Sequence, residues 1–170
     1  MKEKAIFLAT QARNNKTFYE HSKVGYNYRM NSLAASFGLN QFPFLQKYIS
    51  GRRKMNQFYK NIFDDKPGVS VFTESTDLAF SNHWLTCILI DENTSKVNCN
   101  DIKEAFVKNN IEYRPLWNPM HLQPLFKTNT FFGEEVSKQL FKYGLCLPSN
   151  VNYSTLELAK IKKVINDLFL

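Results

Sequence analysis

At 170 residues, 44% apolar and 15% aromatic, the chain has room for one cored domain, or one domain with an arm. No apolar run approaches the roughly 20 residues of a membrane helix, no secretory leader follows Met1, and Cys87, Cys99 and Cys146 have neither metal-ligand spacing nor the even count of a disulfide framework. The formal charge of +7 fits an anionic partner, whether nucleic acid, nucleotide sugar or phosphate cofactor, and the expectation is a cytoplasmic protein with reduced thiols.

Residues 5–12 read as the end of a helix and 13–24 as a loop. Gly25-Tyr26-Asn27-Tyr28-Arg29-Met30 is a second loop, and Asn31 offers an N-cap to the helical run that begins Leu33-Ala34-Ala35. A loop feeding a helix N-terminus suits an anion. Arg29 adds a two-pronged grip on phosphate or carboxylate, and Asn27 a neutral donor. The plain alternative is a surface turn with Tyr26 and Tyr28 packed back onto it.

Pro43 either kinks this helix or opens the next one. Leu45, Tyr48, Arg52, Met55, Tyr59 and Ile62 form one stripe, which predicts a long helix to about Phe63, ended by Asp64-Asp65-Lys66-Pro67-Gly68. Residues 69–73 read as a short strand, 75–81 as a polar connection, and 84–90 as a central strand, apolar on both faces. Asn82-His83-Trp84 reads as a capped strand start with a buried Trp, and Cys87 as a small core residue.

Asp101 and Glu104 have capping-box spacing, ahead of a helix that buries Ile102, Ala105 and Phe106. Residues 111–114 read as a strand, after which Pro115 and Pro119 shape an irregular loop bearing Trp117, Met120 and His121. Residues 132–143 read as a helix with Val136 and Leu140 inward and Gly144 as its stop. Residues 145–148 read as a short edge strand. Ser154 and Glu157 box the last helix, which turns Leu158, Ile161, Ile165 and Leu168 inward. The basic spots Arg52-Arg53-Lys54 and Lys160, Lys162, Lys163 read as solvated helix faces. The sum is an α+β chain: a helical arm over 1–63, then a small, mainly antiparallel sheet covered by helices over 64–170.

Four blocks in order carry a resemblance. GYNYRMNSLAASFGLNQ, Asn82-His83-Trp84-Leu85-Thr86, Tyr113-Arg114-Pro115-Leu116-Trp117-Asn118-Pro119-Met120-His121-Leu122-Gln123-Pro124 and Gly144-Leu145-Cys146-Leu147-Pro148-Ser149 resemble the DegT/DnrJ/EryC1/StrS family of pyridoxal-phosphate-dependent nucleotide-sugar aminotransferases. The resemblance implies the small C-terminal domain of a fold type I aminotransferase, homo-oligomeric, with glutamate as amino donor. The last two blocks are most similar to the branch that acts on UDP-linked 4-keto-6-deoxy sugars for surface-polysaccharide or glycoprotein glycans.

Site roles follow from the resemblance as well. It implies that Asn27 reaches the cofactor phosphate of a neighbouring subunit, that Tyr26 and Arg29 help hold the cofactor or the sugar-nucleotide diphosphate, and that Arg114, Trp117, Met120 and His121 meet the substrate. His121 would hydrogen-bond a hydroxyl or diphosphate, and Trp117 would stack on a ring. The chain departs from the family in one respect: no lysine stands in the Gly-Asn-Lys-type context of the Schiff-base lysine. The expectation is therefore a C-terminal portion with no catalytic residue of its own, binding no cofactor and inactive alone. A basic α+β nucleic-acid-binding module, or a regulatory interaction module, is the competing reading. A sheet-type RNA binder clusters aromatics among basic residues on a strand, whereas the aromatics here follow helical stripes.

Overall fold

The computed structural model describes residues 1–74 and 78–170, and contacts divide the chain into two compact units, Met1–Leu45 and Gln46–Leu170. The polar connection expected over 75–81 lies partly outside the described residues, at 75–77.

In the first unit, α1 (Lys2–Ala9) stops earlier than the sequence suggests. Gln11 and Ala12 adopt positive φ (67° and 50°), a left-handed conformation that ends a helix. α2 (Ser32–Gln41) starts where expected, with Asn31 Oδ1 accepting from the Ala34 N–H at 2.8 Å. Pro43 sits in a 3₁₀ turn (Phe42–Phe44) that hands over to α3 (Leu45–Phe63), so the helix is re-started there.

The second unit holds β1 (Val69–Val71), β2 (Thr86–Ile90), α4 (Cys99–Lys108), β3 (Arg114–Pro115), α5 (Val136–Tyr143), β4 (Gly144–Leu147) and α6 (Thr155–Leu168). The sheet runs β1-β2-β4-β3, antiparallel throughout. Thr86, Ile88 and Ile90 are buried while Cys87 and Leu89 are half-buried, the alternation of a strand with one better-covered face. Met55, Tyr59, Ile62 and Phe63 of α3, Ile102 and Phe106 of α4, and Ile161, Val164 and Ile165 of α6 complete one core with Ile88, Ile90, Leu145 and Leu147. Each fully buried side chain of this kind is worth roughly 1.5–3 kcal/mol. The Tyr59 hydroxyl, inside this core, donates to Pro148 O at 2.8 Å.

Several local expectations are corrected. The α3 stripe is buried only from Met55 onward, and Leu45 and Tyr48 are exposed. The α4 box is Asn98 with Asp101, because Asp101 serves as the third helical residue and not as the cap. β3 is two residues long at the sheet edge, where Pro115 costs no ladder bond. β4 is an interior strand, buried along its length between β2 and β3. α5 starts at Val136, which is exposed, and Gly144 opens β4 in extended conformation.

Candidate functional site

The Gly25–Met30 loop is held at the backbone. Tyr26 donates its N–H to Leu8 O at 2.8 Å, Tyr26 O accepts from the Gln11 N–H at 3.0 Å, and the Tyr28 N–H reaches Ala9 O at 3.0 Å. The close approach explains Gly25: a Cβ there would lie 2.3 Å from Ala12 N. With the backbone fixed, the side chains face outward. Tyr26 and Tyr28 stack on each other, 5.3 Å between centroids and 9° between planes, and both are exposed. They therefore do not pack back into a core. Asn27 Oδ1 accepts from the Arg29 N–H at 3.4 Å. Among the described residues neither the Asn27 amide nitrogen nor the Arg29 guanidinium makes a hydrogen bond. Two donors thus stand on a fixed loop.

The second set of sequence-predicted residues lies in the other unit. Arg114 pairs with Glu112 through two contacts (2.8 and 3.1 Å), both side chains exposed, and lines a cavity of about 260 Å³ with Arg52, Ser149, Asn150 and Tyr153. Trp117 is exposed and tilts against exposed Trp84, centroids 6.4 Å apart. His121 is half-buried in a 3₁₀ turn (Met120–Leu122) and stacks on Phe131 at 3.8 Å. Met120 is exposed. Trp117, Met120 and His121 do not line the Arg114 cavity. The structure brings Tyr26, Asn27 and Arg29 together on one loop, and spreads the other four from β3 through the connection that follows it.

Sequence reasoning missed a charged cluster. Arg53 donates to Glu74 Oε1 at 2.8 Å and to Ser81 O, and its guanidinium lies 3.9 Å from the Phe80 ring centroid. His83 Nε2 is 3.2 Å from Glu74 Oε2. The Arg53 hydrogen bond holds the Glu74 carboxyl down at about 2, while burial draws His83 below its ordinary value despite the facing Glu74. Beside it, the Arg52 guanidinium donates to Trp84 O at 2.7 Å. Arg52 and Arg53 are thus committed structurally and do not form a solvated face, whereas Lys160, Lys162 and Lys163 are exposed as expected. The Asn82–Trp84 expectation inverts: His83 takes φ 46° and is buried, and Trp84 is turned out. A left-handed residue is not readable from a histidine codeword, so no sequence signal announced the swap.

Three comparisons bear on this arrangement. The family profile described as the DegT/DnrJ/EryC1/StrS aminotransferase family matches residues 1–169. EpsN of Bacillus subtilis (strain 168), which its name assigns to the pyridoxal phosphate-dependent aminotransferases, is 39% identical over 171 aligned positions, covering 98% of this chain and 43% of that protein. GDP-perosamine synthase of Escherichia coli O157:H7 is 28% identical, covering 89% of this chain and 40% of that protein. Among solved structures, PseC of Helicobacter pylori, an aminotransferase involved in pseudoaminic acid biosynthesis, superposes with a TM-score of 0.82 at 19% identity over 98% of this chain and 45% of that one, a likeness of fold. The chain spans less than half the length of the curated relatives it matches. With nearly every residue matched in order, the chain belongs to the DegT/DnrJ/EryC1/StrS aminotransferase family.

Proposed function

We propose that this chain supplies ligand-holding residues of a pyridoxal-phosphate-dependent, homo-oligomeric cytoplasmic aminotransferase that aminates a UDP-linked 4-keto-6-deoxy sugar with glutamate as donor, for surface-polysaccharide or glycoprotein glycans. The observation that carries this reading is the Asn27 loop. Its side-chain oxygen is occupied by the Arg29 N–H, which leaves its exposed amide nitrogen as a donor on the same loop as the Arg29 guanidinium, on a backbone held by three hydrogen bonds. That donor set fits a phosphate. When bound, pyridoxal phosphate supplies the electron sink through which an amino group changes carriers.

Arg114 offers a cation to a diphosphate, with Glu112 sharing its guanidinium until an anion arrives. The rings of Trp117 and His121 offer stacking and a hydrogen bond. Lysine chemistry is not supported within the chain. No lysine has the family context in which the Schiff-base amine is positioned as a nucleophile. In this reading the reacting amine belongs to the part of the relatives that the match does not cover.

The test is an Asn27→Ala variant of a full-length enzyme carrying this region. A lost hydrogen bond to a charged phosphate is worth about 1.5–3 kcal/mol, so cofactor retention falls about 10- to 150-fold with melting of the apo form unchanged. Equal losses of retention and of apo stability would refute the phosphate role. Turnover of GDP-linked and not UDP-linked ketosugar would overturn the nucleotide assignment and leave the loop assignment intact.

A further inference from the structure

We propose that Cys87 and Cys146 form a hydroperoxide-reactive dithiol, a modification site that closes to a disulfide across the β2–β4 pair. The two residues are direct register partners, and their Sγ atoms lie 3.7 Å apart. Directly opposed residues of an antiparallel pair have Cα atoms about 4.5–5.5 Å apart, inside the roughly 4.4–6.8 Å that a disulfide spans. Closing the sulfurs to about 2.05 Å therefore asks for side-chain rotation more than strand movement.

The surroundings separate the two thiols. A hydrogen bond from Cys87 draws the Cys146 thiol below its ordinary value against its burial, and Arg114, the register partner of Cys146 on β3, adds positive charge. The same contact, with burial, pushes Cys87 up. Cys146 also lines the cavity that holds Arg52, Arg114 and Tyr153, which at about 260 Å³ admits a small hydroperoxide. Cys99 offers a contrast within the same chain. It is buried to the same degree as Cys146, but among the described residues its thiol has no hydrogen-bond partner, and burial raises it.

The chemistry balances without further reactants. The Cys146 thiolate attacks the distal peroxide oxygen, the O–O bond breaks, and the departing alkoxide takes the thiol proton to become an alcohol. Cys146 is left as a sulfenic acid. Cys87 Sγ attacks that sulfur, the S–O bond breaks, and hydroxide leaves with the Cys87 proton as water. Two thiols are oxidised and one hydroperoxide is reduced. The site does not depend on the aminotransferase reading.

The experiment is intact-mass analysis and peptide mapping of the 170-residue chain after hydrogen peroxide and alkylation. The expected result is loss of two hydrogens, one intrachain Cys87–Cys146 disulfide, Cys99 still alkylatable, and full reversal by dithiothreitol. With dimedone present, Cys87→Ser, whose serine hydroxyl can still donate to Cys146, is labelled at Cys146 about tenfold faster than at Cys99. Three free thiols in the native chain at a peroxide dose that labels Cys87→Ser would overturn the proposal. So would a disulfide that involves Cys99 or joins two chains. Labelling of Cys99 ahead of Cys146 in that variant would overturn the assignment of Cys146 as the attacking thiol.

Discussion

The two units spend their apolar residues differently. Gln46–Leu170 gathers Met55, Tyr59, Ile88, Ile102, Phe106, Leu145 and Ile165 into one core behind a four-stranded sheet. Met1–Leu45 buries Ala12 and leaves Leu33, Phe37, Leu39, Phe42 and Phe44 exposed. Its order comes from hydrogen bonds: the Asn31 cap, the Thr10 side chain on Ile6 O, and the bonds that tie 26–28 to 8–11. A unit that is hydrogen-bonded but not cored reads as a surface awaiting a partner, and contiguous apolar patches of more than a few hundred Å² mark such surfaces. The large core lies in one unit, and the Gly25–Met30 loop lies in the unit with the exposed apolar side chains. This is the division expected when stability and ligand contact are served by different parts of a chain.

The sharpest way to break the comparison is a matched pair of substitutions. Phe106→Ala, at a fully buried site, is expected to cost about 3–5 kcal/mol in urea unfolding followed by circular dichroism. Phe37→Ser, on the exposed face, is expected to stay within about 0.5 kcal/mol. The native chain is expected to self-associate at micromolar concentration, and the same Phe37→Ser to shift its light-scattering mass downward, toward the monomer. Comparable destabilisation by both substitutions would erase the distinction. A native chain that is already monomeric would remove the argument for a partner-facing surface.

A smaller effect sharpens how the core is closed. Tyr59→Phe leaves Pro148 O without its donor in a buried setting, and a loss of about 1–3 kcal/mol is expected. A neutral result in thermal unfolding would mean the carbonyl finds another donor.

The smallest effect is electrostatic. The folded pKa of Glu74 is depressed to about 2, so its contribution is present above its ordinary 4.5 and is lost as pH falls from there toward 2. His83, which faces Glu74, Arg53 and Lys60, is depressed too. Below 6.5 the unfolded chain takes up the His83 proton more readily than the folded one, so this contribution has the same sign and fades as pH falls through the folded value. The native chain is expected to lose stability on acidification more steeply than Glu74→Gln, by denaturant midpoints at stepped pH. Parallel curves would show that Arg53 and Glu74 do not share a proton-linked contact.

What the sequence made legible follows the range of the interactions involved. Asn31 as a cap and the Ser154–Glu157 box depend on neighbours three residues away, and both were readable. Asn98 was missed only because Asp101 suits either of two positions in the same local motif. β4 was mistaken for an edge strand because its two neighbours come from residues 86–90 and 114–115, and four residues cannot state which strands will flank them. Arg53 was misread for the same reason: Glu74, Ser81 and Phe80 lie far along the chain, and helix periodicity reports a face but not what that face meets. At the loop, the sequence put Tyr26, Asn27 and Arg29 on one short connection, and the need for glycine at position 25 became clear only from the approach of Ala12.

The central claim is that this chain holds ligand-gripping residues and no reacting amine. Borohydride reduction of the chain with pyridoxal phosphate, followed by peptide mapping of the lysines, tests it most directly. The account predicts slow, scattered modification with no lysine preferred. Stoichiometric reduction at one specific lysine would contradict it.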